Sequence, residues 1–150
     1  MRTSMIDRVK ILFEYDSGTP DSTEVEAMWA IPTIEGFKLD NIPFYAPGIA
    51  VGDIVSASPD PDGTLRFVSL VTPGQHSTVR LWFAKDRESE VHRIRQELRD
   101  LGCPSELSDL PRLVAVDIPP TISYDIVRSI LDSYESDGVL EYEESCLASE

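Results

Sequence analysis

The chain has 150 residues, 41% of them hydrophobic, enough for one domain or two small lobes and too many for a disordered chain. Its 27 acidic and 13 basic residues leave a formal charge of −14, a surface that repels nucleic acid and anionic membrane and suits a basic protein partner or plain solubility. No apolar run of about 18 residues is there to span a membrane, and residues 1 to 5 lack the apolar stretch of a signal peptide, so the expected location is the cytoplasm.

The N-terminal half reads as strands and turns. Val9, Ile11, Phe13 and Tyr15 alternate with polar neighbours, the period of a half-buried strand, and Asp16-Ser17-Gly18-Thr19-Pro20 breaks it. Val25, Ala27, Trp29 and Ile31 alternate again, residues 32 to 36 turn the chain, and residues 37 to 39 form a short strand. Asn41-Ile42-Pro43-Phe44-Tyr45-Ala46-Pro47-Gly48 is too rich in proline for a helix and reads as a connector whose apolar side chains plug the core. A strand over 51–57 is entered through Gly52-Asp53, and Ser58-Pro59-Asp60-Pro61-Asp62-Gly63 turns it into a partner over 65–71. Pro73-Gly74 turns once more into a strand over 78–83. Strands joined by such short turns predict a curved antiparallel sheet or a partial small barrel.

The C-terminal half changes period. From about Asp86 to Leu101, Val91, Ile94, Leu98 and Leu101 make one helical stripe, Gly102 is placed as a left-handed cap, and Pro104 forbids continuation. Residues 112 to 118 are almost continuously apolar, the pattern of a strand covered on both faces. Ser123 is the N-cap of a second helix with Ile126, Val127, Ile130, Leu131 and Tyr134 on its apolar face, and residues 139 to 143 form a last strand. Counting the strand at 78–83 in both halves, this part is β-α-β-α-β, with helices on one face of a mixed sheet in a ferredoxin-like arrangement. The predicted class is α+β: a β-rich half over 1–75 and an α+β half over 76–150, sharing one core.

Catalytic and metal-binding signatures are missing. There is no Gly-rich phosphate loop, no nucleophile elbow and no zinc-protease motif. The two histidines, His76 and His92, and the two cysteines, Cys103 and Cys146, have no ligand spacing, so no metal, cofactor or catalytic residue is assigned and the thiols are taken as reduced. Asp60-Pro61-Asp62-Gly63 begins like a calcium loop, but Val71 stands where a twelfth-position Glu is required. Adjacent residues on a strand point to opposite faces, which rules Ser77 and His76 out as a nucleophile pair. Asp53 is the acid to watch: on a buried face it needs a partner, and Arg66 or Arg80 is the expected one.

The charge is unevenly spread. Beyond Arg128 there is no Lys or Arg, while Asp132, Glu135, Asp137, Glu141, Glu143 and Glu144 follow one another. Acids at the end of a helix oppose its dipole, so stability alone does not account for Asp132, Glu135 and Asp137. Lys85, Arg87, Arg93, Arg95 and Arg99 gather on or beside the first helix, several interleaved with Glu88, Glu90 and Glu97 as on a solvated face.

Six segments occur in one order: Glu26-Ala27-Met28-Trp29-Ala30, Asn41-Ile42-Pro43-Phe44-Tyr45, IAVGDIVSA over 49–57, His76-Ser77-Thr78-Val79-Arg80, LVAVDIPP over 113–120, and residues 138 to 146. With them the chain resembles, from Glu24 to Leu147, a bacterial family classed only as a domain of unknown function. The resemblance implies a bacterial cytoplasmic protein in which Trp29, Asn41, Phe44, Asp53, His76 and Arg80 belong to a shared framework or site. It implies no activity.

The first functional expectation is a non-catalytic acidic binding protein, immunity-like, that neutralises a basic partner protein or toxin through Asp132, Glu135, Asp137, Glu141, Glu143 and Glu144. The alternative is a small-molecule-binding or regulatory module with a cleft between the halves, lined by Trp29, Asn41, Tyr45, Asp53, His76 and Arg80. An enzyme using Asp53 and His76 as acid and base ranks last, since it needs those two side chains within hydrogen-bond reach.

Overall fold

A computed structural model describes residues 7–16, 18 and 23–148. Met1 to Met5, the turn residues Ser17, Thr19 and Pro20, and Glu150 lie outside the described residues.

The N-terminal strands are β1 (Val9–Asp16), β2 (Thr23–Pro32), β3 (Phe37–Leu39), β4 (Ile54–Pro59) and β5 (Leu65–Thr72). They close into a barrel in that order. Neighbours in sequence pair antiparallel, and the seam between β1 and β5 is parallel, with Ile11 opposite Leu65 and Leu12 opposite Arg66. An up-and-down run of an odd number of strands can close only on such a parallel pair. Alternation sends Ile11, Phe13, Met28, Ala30, Leu39 and Val55 inward, where Ala46 of the connector and Ile49 just after it join them, while Phe44 and Tyr45 of the connector, expected in the core, stay half-buried outside this cluster. Phe13 stacks on Phe67 with ring centroids 4.7 Å apart.

The second half contains β6 (Ser77–Phe83), a 3-10 turn (Lys85–Glu90), α1 (Val91–Leu101), β7 (Ser105–Leu107), β8 (Leu113–Ile118), α2 (Tyr124–Ser136) and β9 (Leu140–Cys146). Its sheet runs β7-β8-β6-β9. Two expectations are corrected. The strand at 78–83 belongs wholly to this sheet, and the barrel reaches five strands through the short β3 instead. The sheet is antiparallel at every neighbouring pair rather than mixed. The cause is β7: one extra reversal between α1 and β8 lays β8 antiparallel beside β6, so each helical crossover skips one strand.

Both helices cover one face. Val91, Ile94 and Leu98 of α1 and Val127 and Leu131 of α2 pack on Val79, Leu81, Phe83, Val114, Val116 and Ile118. Gly102 ends α1 at φ 104°, where a Cβ would meet Ile122 Cδ1 at 2.8 Å. Ser123 holds the N-cap position without a side-chain capping bond, and Ile126, expected on the apolar face of α2, is 55% exposed. β8 is buried throughout, as its composition required.

The connector and the β5–β6 link join the halves. Thr78 donates its hydroxyl to the Ile49 carbonyl at 3.4 Å, the Gly48 amide reaches the Ser145 carbonyl at 3.2 Å, and the Gly74 amide reaches Asp53 Oδ1 at 2.7 Å. Among the described residues no helix is long and apolar enough to cross a membrane.

A cleft between barrel and sheet as the candidate functional site

The six residues expected to line one pocket lie in three places. Trp29 points outward from β2 beneath two cations, Arg8 and Lys10, at 5.3 and 5.0 Å from its ring, and its amide donates to the side-chain oxygen of Asn41. Asp53 and His76 sit at the joint of the two halves. Tyr45 and Arg80 meet in a cleft on the far side of the sheet from the helices.

Among the described residues Asp53 has no arginine partner. Its oxygens accept the amides of Ala50 at 2.9 Å and Gly74 at 2.7 Å, which satisfies a carboxylate only 3% exposed without burying a guanidinium beside it. Arg66 goes to Asp60 at 2.6 Å and Glu14 at 3.1 Å. His76 pairs through Nδ1 with Asp117 Oδ1 at 2.8 Å, so the hydrogen bonds of Asp53 and His76 run to other groups and not to each other. Burial pushes the Asp117 carboxyl above its ordinary value, against the pull of the His76 hydrogen bond and charge. Asp117 escaped the sequence reading because it stands inside the apolar run of β8; a lone acid in such a run is itself the signal of a paired buried charge.

Arg80 spans the joint. Its Nη2 donates to the Ala46 carbonyl at 2.9 Å and to Ser145 Oγ at 2.7 Å, and its Nη1 lies 3.3 Å from Glu143. Its Nε is buried without a partner, and burial lowers the guanidinium pKa against the opposing charge of Glu143. Beside it Phe44, Tyr45, Trp82, Glu141 and Glu143 line the cleft of about 460 Å³. Tyr45 stacks on Tyr15 at 5.4 Å. Burial raises the Tyr45 hydroxyl pKa, and the negative charges of Asp109 and Glu26 add to it.

Sequence reasoning also missed Glu26. From β2 its carboxylate accepts three successive amides, those of Phe44, Tyr45 and Ala46, at 2.8, 3.1 and 2.9 Å. It fixes the loop that presents Phe44 and Tyr45 to the cleft.

The acidic set divides across β9, an edge strand. Glu141 and Glu143 face Trp82 and Arg80 across the ladder. On the helix side Tyr142 donates its hydroxyl to Asp132, and Tyr124 donates to Glu144. Burial and then the Asp132 hydrogen bond push the Tyr142 hydroxyl up to about 12. Glu135 accepts the outward amide of Tyr142 at 3.2 Å, and Asp137 caps the end of α2. Four of the six acids therefore serve the edge and the helix, while Glu141 and Glu143 face the cleft.

Cys103 and Cys146 are free thiols; burial pushes Cys103 up to about 11. Among the described residues no three His, Cys, Asp or Glu side chains gather as metal ligands would.

The fold has a counterpart in the crystal structure of a hypothetical protein from Neisseria gonorrhoeae, with a TM-score of 0.76 and 19% identity over 99% of this chain and 100% of that one. No curated protein matches the chain. The model of a family described as a domain of unknown function, DUF4265, matches residues 26–142, and the chain belongs to that family.

Proposed function

We propose that this is a non-catalytic binding protein of the cytoplasm that recognises a basic protein partner, in the manner of an immunity protein neutralising a toxin. The observation that carries the reading is the cleft, where aromatic rings stand beside Glu141 and Glu143 on an edge strand. Glu143 keeps 67% of its side chain exposed, and Glu141 has no hydrogen-bond or ion-pair partner among the described residues. Exposed carboxylates on a chain of charge −14 steer cationic partners and speed their encounter. The order β6-α1-β7-β8-α2-β9 with sheet order β7-β8-β6-β9 supports the ferredoxin-like reading of the C-terminal half, an arrangement that leaves β9 at the edge.

The test is copurification of the tagged protein from a bacterial host at low and at high salt. One stoichiometric basic protein, lost at high salt, is the expected result. With that partner, the double change Glu141→Lys and Glu143→Lys is expected to slow association by roughly tenfold or more. Association unaffected by the double change would sink the acidic-face reading.

The small-molecule alternative retains the cleft between the halves, supported by Tyr45 and Arg80. It loses Trp29, Asn41, Asp53 and His76, which lie elsewhere.

A further inference from the structure

Resting on that reading, we infer that the cleft receives an arginine side chain of the partner. Its guanidinium lies against the rings of Tyr45 and Trp82, and Glu141 and Glu143 accept its N–H groups.

Charge, shape and precedent within the molecule support this. Two carboxylates face the cleft against one guanidinium, that of Arg80, and Arg80 is held from behind by the Ala46 carbonyl and Ser145 Oγ. Its bond to Glu143, at 3.3 Å, is long for a charge-assisted contact, so Glu143 can turn to an incoming cation while Arg80 stays in place. Asp109 and Glu26 add negative field at Tyr45. A flat, weakly hydrated guanidinium lies parallel to aromatic rings and pairs with carboxylates through a fork of donors at the same time, where a compact, strongly hydrated ammonium offers only a point charge. The chain already uses this contact on the same ring: Arg112 lies 5.2 Å from the centre of Trp82. Trp82 lines two neighbouring grooves, and Arg112 lines only one of them, which leaves the cleft with Tyr45 open to a second guanidinium.

The chain has two tryptophans, one in the cleft and one, Trp29, on the outside of the barrel, so the second is an internal control. The experiment is NMR of the indole N–H groups of the full chain, titrated with capped Gly-Arg-Gly, Gly-Lys-Gly and Gly-citrulline-Gly peptides. Concentrations up to ~20 mM saturate a site of roughly millimolar affinity. Expected is a saturable shift of Trp82 with the arginine peptide, little with lysine, none with the uncharged citrulline, and no movement of Trp29. Glu141→Gln with Glu143→Gln, and separately Tyr45→Ala, are expected to weaken the arginine response about tenfold. Unchanged Trp29 and backbone resonances in each variant show that it folds.

Equal shifts at Trp29 and Trp82, no shift at Trp82, or equal responses to citrulline or lysine overturn the inference. A salt-sensitive basic partner found with a silent Trp82 sinks the arginine cleft and leaves the binding function standing. A responsive Trp82 with no copurifying partner sinks the binding function and leaves the cleft chemistry.

Discussion

Glu26, Asp53, Asn41 and Asp117 act alike, each placing a side-chain oxygen of one segment where it satisfies a donor of another. The connector carries Pro43 and Pro47 and so cannot form regular structure, yet its amides still need acceptors once the loop is packed on the barrel. Glu26 supplies them for Phe44, Tyr45 and Ala46. Glu26→Gln replaces one accepting oxygen by a donor that faces amides, and is expected to cost about 1–3 kcal/mol in urea denaturation. No loss would show that the loop is held by other contacts. Asp117 allows a test against pH. Its carboxyl is raised above 3.8 by burial, so from 3.8 up to the raised value the folded state holds more protons than the unfolded state. Its contribution is full below that window and is lost as pH rises through it. Asp117→Asn removes the ionisation and keeps an acceptor oxygen for His76. Wild type is therefore expected to lose stability relative to the variant as pH rises from 3.8 through the raised value, and a difference constant with pH would contradict it. Asp53 could be picked from the sequence as an acid in need of a partner, but its partners could not. Backbone amides from Ala50 and Gly74 leave no mark on residue type, and the amides that Glu26 holds lie 18 to 20 residues away.

The elements that were legible are those long enough to show a period. β1, β2, β5 and β6 lie within a residue or two of where alternation put them, and α1 ends at its Gly102 cap as the stripe required, although it starts at Val91 and the stretch expected as helix from about residue 86 is a 3-10 turn. β7 could not be read, because the three residues Ser105–Leu107 are too few to alternate and their identity as a strand comes from pairing with β8. β4 starts at Ile54 and not at 51, because Gly52 at φ 85° forms a turn and Asp53 is tied back to the Ala50 amide. The edge strand β9 poses the main hazard at this scale, since an unpaired row of N–H and C=O groups invites another strand. Glu135 reaches from α2 to occupy the outward amide of Tyr142. Glu135→Ala frees that donor and removes a charge from the edge. Increased self-association is expected by light scattering at fixed protein concentration, with the helix content unchanged by circular dichroism. A variant as monodisperse as the parent would mean that the remaining acids protect the edge unaided.

At the scale of the whole molecule, the buried side chains form two clusters, one inside the barrel and one between the sheet and its helices. What lies between the clusters is polar and specific: Asp53 on the Gly74 amide, Arg80 on the Ala46 carbonyl, Thr78 on the Ile49 carbonyl and the Gly48 amide on Ser145. Opening either half alone would strand these groups half-buried with their partners gone, a cost of about 1–3 kcal/mol for each. Together they exceed what either small half is expected to withstand alone, so the chain is expected to unfold as one unit. Trp29 reports on the barrel and Trp82 on the sheet. In the single-tryptophan variants Trp29→Phe and Trp82→Phe, fluorescence in increasing urea is expected to give one midpoint, shared with the circular dichroism of the helices. Gly74→Ala tests the joint directly, because its Cβ would lie 2.5 Å from the carbonyl carbon and oxygen of Gly52. That change is expected to lower the common midpoint or to separate the two fluorescence transitions. Two midpoints in the parent chain would make barrel and sheet independent folding units, and the cleft between them would then be a hinge and not a preformed surface.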